Sequence, residues 1–213
     1  TLPLFEKLVG REPVSLVSLM DHSPGQRQFA NIEKYREYYQ GKYSLSDAEM
    51  ARYEEEQLAL AARWSQPNRV RIAAMCRDRN IALASHDDAT HDHVLESHHL
   101  GSVIAEFPTT FEAAEASRKH GMNVLMGAPN IVRGGSHSGN VAASKLASLG
   151  LLDILSSDYY PASLLDAAFR VADDEGNRFT LPQAIRLVTK NPASALNLQD
   201  RGEIAEGKRA DLV

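Results

Sequence analysis

Three short apolar runs in this chain end in residues able to bind a metal ion. The run 14–19 leads into Asp21-His22, the run 81–84 into His86-Asp87-Asp88, and the run 153–156 into Asp158. Each has the length and character of a buried strand, and each polar tip falls where the chain leaves it. In a parallel α/β protein the C-terminal ends of the strands lie side by side, so residues at equivalent ends become neighbours. On that placement His22, His86 and Asp158 converge. Two neutral imidazoles and a carboxylate suit a divalent metal, zinc first and manganese or iron otherwise, and such a centre activates water. Asp158 could also take the water's proton. Any one of these residues alone reads more simply as a hydrogen-bonding partner for loop backbone; three at equivalent strand ends shift the balance to a metal centre. Asp87 and Asp88 read either as groups that orient a histidine or as caps of the next helix, with capping favoured for Asp88.

A fourth run, 124–126, opens the glycine-rich stretch 127–140 ahead of a helix. Its backbone N–H groups and its polar residues Asn130, Arg133 and His137 are suited to phosphate oxygens. The stretch lacks the Lys-Ser/Thr ending of a P-loop and the dinucleotide fingerprint, so a plain flexible connection is the competing reading. Arg27, shortly after His22, either binds an anion or faces solvent. Of the eight histidines, His91, His93, His98, His99 and His120 sit in helical patterns and read as surface residues. His91-Asp92-His93 has the spacing of a metal-binding pair, but its helical context argues against it.

These groups need a scaffold, and the remaining pattern supplies one. With 102–107 as a further strand, five strands alternate with helical segments, which implies an α/β fold with a parallel sheet and helical crossovers. The helical segments are 28–40, ended by Gly41; a long one from the Ser46-to-Glu49 capping box to Trp64; a restart at Pro67 running to Arg79; then 90–100 and 110–120. Four more follow: a helix to Leu149, one from Pro161 to Asp173, one capped by Thr180 and Gln183 and running to Lys190, and a short one at Pro192. The tail 201–213 reads as short edge or hairpin strands. The chain has 213 residues, 43% hydrophobic and 24% charged, enough for a substantial core. A net charge of -5 and a pI of 5.9 imply no basic face, which speaks against nucleic acid and anionic membranes as partners. The single cysteine, Cys76, excludes an internal disulfide and fits a reducing, cytoplasmic setting. No apolar run reaches the length of about 18 residues that a membrane span needs.

The C-terminal third carries a family likeness. The stretch Thr189-Lys190-Asn191-Pro192-Ala193-Ser194-Ala195-Leu196-Asn197-Leu198, followed by Arg201-Gly202-Glu203-Ile204 and Gly207-Lys208-Arg209-Ala210-Asp211-Leu212-Val213, resembles the closing signature of the amidohydrolase superfamily. The stretches around Asp21-His22, His86-Asp87-Asp88, Glu106-Phe107-Pro108, 126–140 and 156–161 are similar to its phosphonate-pathway branch. That resemblance implies the C-terminal part of a (β/α)₈ barrel over 1–198, with 199–213 as the start of a returning β-sandwich. It implies metal-dependent hydrolysis of α-D-ribose 1-methylphosphonate 5-triphosphate to the 5-phosphate and diphosphate. Asp158 then matches the last-strand aspartate, a metal ligand and proton acceptor, and His22 and His86 match strand-end ligands. An early His-x-His pair of such barrels is missing before residue 14, so the chain is expected to be a portion of a longer enzyme, with little activity by itself. Homo-oligomerisation is left open. Other readings stand beside this one: another amidohydrolase reaction (cyclic amide hydrolysis, deamination or N-acyl hydrolysis), a metal-binding assembly subunit without turnover, or a plain α/β domain.

Overall fold

The computed structural model describes residues 2–136 and 139–211. Five parallel strands, β1 (Leu16–Leu19), β2 (Ala82–His86), β3 (Ile104–Glu106), β4 (Asn123–Gly127) and β5 (Ile154–Ser156), lie side by side in chain order. The helices are α1 (Leu2–Leu8), α2 (Ile32–Tyr43), α3 (Asp47–Asp78), α4 (His91–His99), α5 (Phe111–Lys119), α6 (Ala128–Arg133), α7 (Ala143–Ser148), α8 (Ser163–Asp173), α9 (Leu181–Arg186) and α10 (Lys190–Ala195), with a 3₁₀ turn at Arg27–Phe29. This is the α/β arrangement expected from the alternation of runs. Among the described residues, no helix is long and apolar enough to cross a membrane.

The two-residue pleat divides each strand between two faces. On the outer face, Leu19 and Leu83 pack on Ala73 and Cys76 of α3. Ala105 packs with Val94 of α4 and with Ala113 and Ala116 of α5. Val124, Met126 and Leu155 join the largest core cluster with α6 to α9. On the inner face Ala84, Ile104, Leu125 and Ile154 form one layer, covered in part by Ala195 and Leu196 at the end of α10. Both faces are apolar through the middle of the sheet, and each fully buried aliphatic side chain contributes about 1.5–3 kcal/mol. The inner face turns polar only at the strand ends, with Ser18, His86 and Glu106.

Several expected elements differ. The long helix does not restart at Pro67: α3 runs through it. The proline forfeits one backbone hydrogen bond, but Met50, Ala73 and Cys76, buried on either side of it, keep both halves on one axis. The helix after His22 begins at Ile32, where the Asn31 side chain accepts from Glu33 and Lys34 N–H, and it passes through Gly41. The glycine-rich stretch holds α6, which Pro129 initiates and Gly134 ends in the left-handed region at φ 78°. The helix α9 stops at Arg186 rather than Lys190. The described tail, 201–211, contains turns and no strand.

Candidate metal centre

Parallel pairing of β2 with β3 sets His86 directly opposite Glu106, both on the inner face. Their side chains meet, His86 Nδ1 lying 2.8 Å from Glu106 Oε2. An ionised carboxylate only accepts, so Nδ1 carries the proton and Nε2 is left to bind something else. The Ser18 hydroxyl of β1 donates to the same Glu106 oxygen. Burial disfavours the charged ring, yet the Glu106 hydrogen bond and the charges of Asp87 and Glu106 outweigh it and hold His86 above the usual histidine value. Burial likewise opposes the Glu106 charge, but the bonds from His86 and Ser18 hold its carboxyl below the usual range. A carboxylate on the far nitrogen is the common device for fixing the tautomer and aim of a metal-binding histidine.

Asp87 leaves β2 in the left-handed backbone region at φ 56°. Its Oδ2 lies 3.4 Å from Nε2 of His86 and 3.4 Å from Nε2 of His22. The two imidazole centroids are 5.7 Å apart. Among the described residues, His22, His86 and Asp87 form the group whose ligand atoms all lie within 4.8 Å of one another. His22 Nε2 is buried and has no hydrogen-bond partner among the described residues. A buried orphan nitrogen beside a carboxylate and a second free imidazole nitrogen is chemistry that a divalent cation satisfies.

Asp158, expected to converge with the histidines, stands outside that group. It is exposed at the exit of β5, at φ 49°. It does share with His86 and Asp87 a cavity of about 600 Å³, also lined by Asn130, Arg133 and Tyr159. Gly127 makes room for it: a Cβ there would sit 3.2 Å from Asp158 Oδ2. Phe107, just past β3, is also left-handed, at φ 55°. Its ring meets His86 edge to face, with centroids 5.4 Å apart. Asp tolerates such backbone well, but a phenylalanine there costs about 1–3 kcal/mol, a strain typical of binding sites.

The expected phosphate contacts divide. Arg133 donates to the Tyr159 hydroxyl at the cavity edge. Asn130 lines the cavity, but its side-chain oxygen accepts from Ala143 N–H at 2.9 Å and so holds the start of α7. His137 lies outside the described residues. Arg27 is a correction: it is 3% exposed, and its guanidinium pairs with Asp88 and with Glu96 at 3.3 Å. Burial, then the nearby Arg69, pull its pKa down to about 10 despite the carboxylates of Glu96, Asp21 and Asp87. Asp88 is therefore the buried counter-ion of Arg27, and the cap of α4 is Thr90, which accepts from His93 N–H. Sequence reasoning missed Ser18, Glu106, Phe107 and Gly127. A lone glutamate ending an otherwise apolar strand was the available signal for Glu106.

Comparison with known proteins completes the description. Residues 18–213 match the amidohydrolase family. Over all 213 residues the chain is 89% identical to the alpha-D-ribose 1-methylphosphonate 5-triphosphate diphosphatase of Escherichia coli (strain K12), covering 56% of that protein. It is 35% identical over 109 residues, 49% of this chain, to the adenine deaminase of Ligilactobacillus salivarius (strain UCC118), covering 18% of that relative. The chain thus spans little more than half the length of the first relative, and less of the second.

Proposed function

The chain belongs to the amidohydrolase family, and from that premise we propose that it forms the C-terminal part of a metal-dependent diphosphatase. The proposed substrate is α-D-ribose 1-methylphosphonate 5-triphosphate, and the products are the 5-phosphate and diphosphate. The observation that carries this reading is 89% identity along the whole chain to a relative of that name. The five sequential parallel strands support residues 1–198 as part of a (β/α)₈ barrel whose site lies at the strands' C-terminal ends; 199–213, whose described part has turns and no strand, is proposed as the connection toward a returning β-sandwich. A net charge of -5 favours a small-molecule partner over nucleic acid.

His22 and His86 would hold a divalent cation through Nε2, with the carboxylate of Asp87 or Asp158 beside them. Two nitrogens and an oxygen fit zinc, with manganese or iron as alternatives. When bound, such an ion supplies Lewis acidity and lowers the pKa of water toward about 7. Glu106, held by Ser18, keeps His86 in the tautomer that presents Nε2. Asp158, exposed in the cavity, accepts the proton of the attacking water on its carboxylate. Arg133 and Tyr159 meet the phosphate oxygens at the cavity edge, where a guanidinium offsets charge that builds as the anhydride bond breaks.

The test is diphosphate release from the triphosphate by the full-length protein with zinc or manganese supplied. We expect one diphosphate per 5-phosphate formed. Asp158→Asn should lose turnover while keeping substrate affinity, and Arg133→Ala should mainly weaken affinity. Deamination has the 35% likeness over 109 residues in its favour. A full-length protein that deaminates a base or opens a cyclic amide and leaves the triphosphate intact would establish that alternative instead.

A further inference from the structure

A second cavity, of about 750 Å³, adjoins the first. Gln28 and Tyr38 line both, so the two spaces meet at that wall. His22 lines the second cavity and His86 the first, and their rings are 5.7 Å apart. The candidate metal group therefore sits where the cavities join. Their charges differ. The first cavity sets Arg133 against Asp87 and Asp158. The second sets Lys34 and Lys42, both on α2, against Glu37. Lys42 is held in place: its ammonium lies 5.6, 5.7 and 5.3 Å from the ring centroids of Tyr38, Tyr39 and Tyr43. Three aromatic faces keep the cation on this side of the helix.

We propose that the second cavity receives the leaving diphosphate, with Lys34 and Lys42 offsetting its charge, while the first retains the ribosyl phosphonate 5-phosphate. This rests on the diphosphatase reading. In that reaction one anhydride P–O bond breaks, water supplies the new P–O bond, and its proton passes to Asp158. The chain of phosphates is cut at the metal group, so its two halves must lie on opposite sides of it. Diphosphate is the smaller half with the denser charge, and it belongs where cations outnumber carboxylates. The half bearing the sugar belongs against Phe107, Pro108 and Met126, the apolar side of the first cavity.

Inorganic pyrophosphate is the probe, titrated by calorimetry into the full-length protein stripped of metal, so that the lysines are read directly. The Lys34→Ala/Lys42→Ala double variant should bind it at least about tenfold more weakly, as the loss of two charge-assisted contacts requires. Lys34→Arg/Lys42→Arg should keep most of the affinity, and ribose 5-phosphate binding should be unchanged in both. Pyrophosphate affinity that is unaltered in the alanine double variant overturns the assignment, as does affinity lost through Arg133→Ala alone. The two readings can fail separately. Lysine-dependent pyrophosphate binding without triphosphate cleavage sinks the reaction and keeps the site. Cleavage with lysine-independent pyrophosphate binding sinks the site and keeps the reaction.

Discussion

Glu106 touches His86 because parallel pairing sets residues of one pleat phase opposite each other across β2 and β3. Glu106→Gln preserves the shape but replaces a strict acceptor with a group that also donates, so the His86 tautomer is no longer imposed. Metal affinity should fall about 10–100-fold, measured by competition with a chromogenic chelator. An unchanged competition midpoint would show that His86 is oriented by something else. Arg27→Ala leaves Asp88 buried without its counter-ion. Urea unfolding should show a loss of about 3–5 kcal/mol, and a loss near zero would mean that Asp88 finds another partner or protonates cheaply. Gly127→Ala would bring a methyl group to 3.2 Å from Asp158 Oδ2. If Asp158 is the proton acceptor, kcat should drop in the full-length protein while KM stays close to its starting value. His22 and His86 could be read as neighbours because a strand end is a local pattern, whereas Asp158, read the same way, lines the cavity but stands outside their group. Asp87 was legible as a group that orients a histidine or caps the next helix, but its reach to both rings was not, since that depends on the left-handed turn after β2. Arg27 was misread because a charged residue beside a site looks the same in sequence whether it binds a ligand or a buried partner.

The elements were legible wherever one local signal decided them. Five apolar runs became five strands of one parallel sheet, and the capping boxes at Ser46 and Thr180 mark real helix starts. The sequence misled where tertiary contacts outweigh a local signal. Pro67 reads as a boundary, but the anchors of α3 lie on both sides of it. Glycines at 127, 134, 135 and 139 read as a loop and hide the single turn and a half of α6. The tail reads as strands because short apolar pieces alternate with turn residues, yet it is held by packing on α10 rather than by a ladder. Gly202 lies at φ +88°, where a Cβ would come 2.8 Å from Ala193 Cβ and 3.0 Å from Thr189 O. Glu203 pairs with Lys190 at the same contact. Gly202→Ala is therefore expected to lift the tail from α10 at a cost of about 1–3 kcal/mol. Limited proteolysis should then cut within residues 199–211 while the helical signal of the remainder persists. A digestion pattern identical to the parent's would mean that the tail tolerates the methyl group.

At the scale of the molecule, the sheet ends in two outer strands, β1 and β5. Among the described residues, β1 pairs with a strand on one edge alone. The long helix α3, which packs beside that strand, exposes Leu58, Leu60, Trp64 and Val70, each 46–51% accessible. An unpaired strand edge next to exposed apolar side chains invites pairing with another chain. The E. coli relative has 44% of its length outside the matched stretch (100 minus the 56% covered), and in a closed barrel further strands would cover both β1 and this flank. The 213 residues expressed alone should therefore self-associate, with a sedimentation coefficient that rises with concentration, and should bind a hydrophobic dye. The full-length protein should bind far less dye for the same mass. Leu60→Lys with Trp64→Lys should reduce both effects in the short chain, because the added charges oppose association at the same patch. A short chain that sediments as one monomer at every concentration and binds no dye would mean that the β1 edge and this flank are protected by the chain itself, against the reading in which further strands cover them.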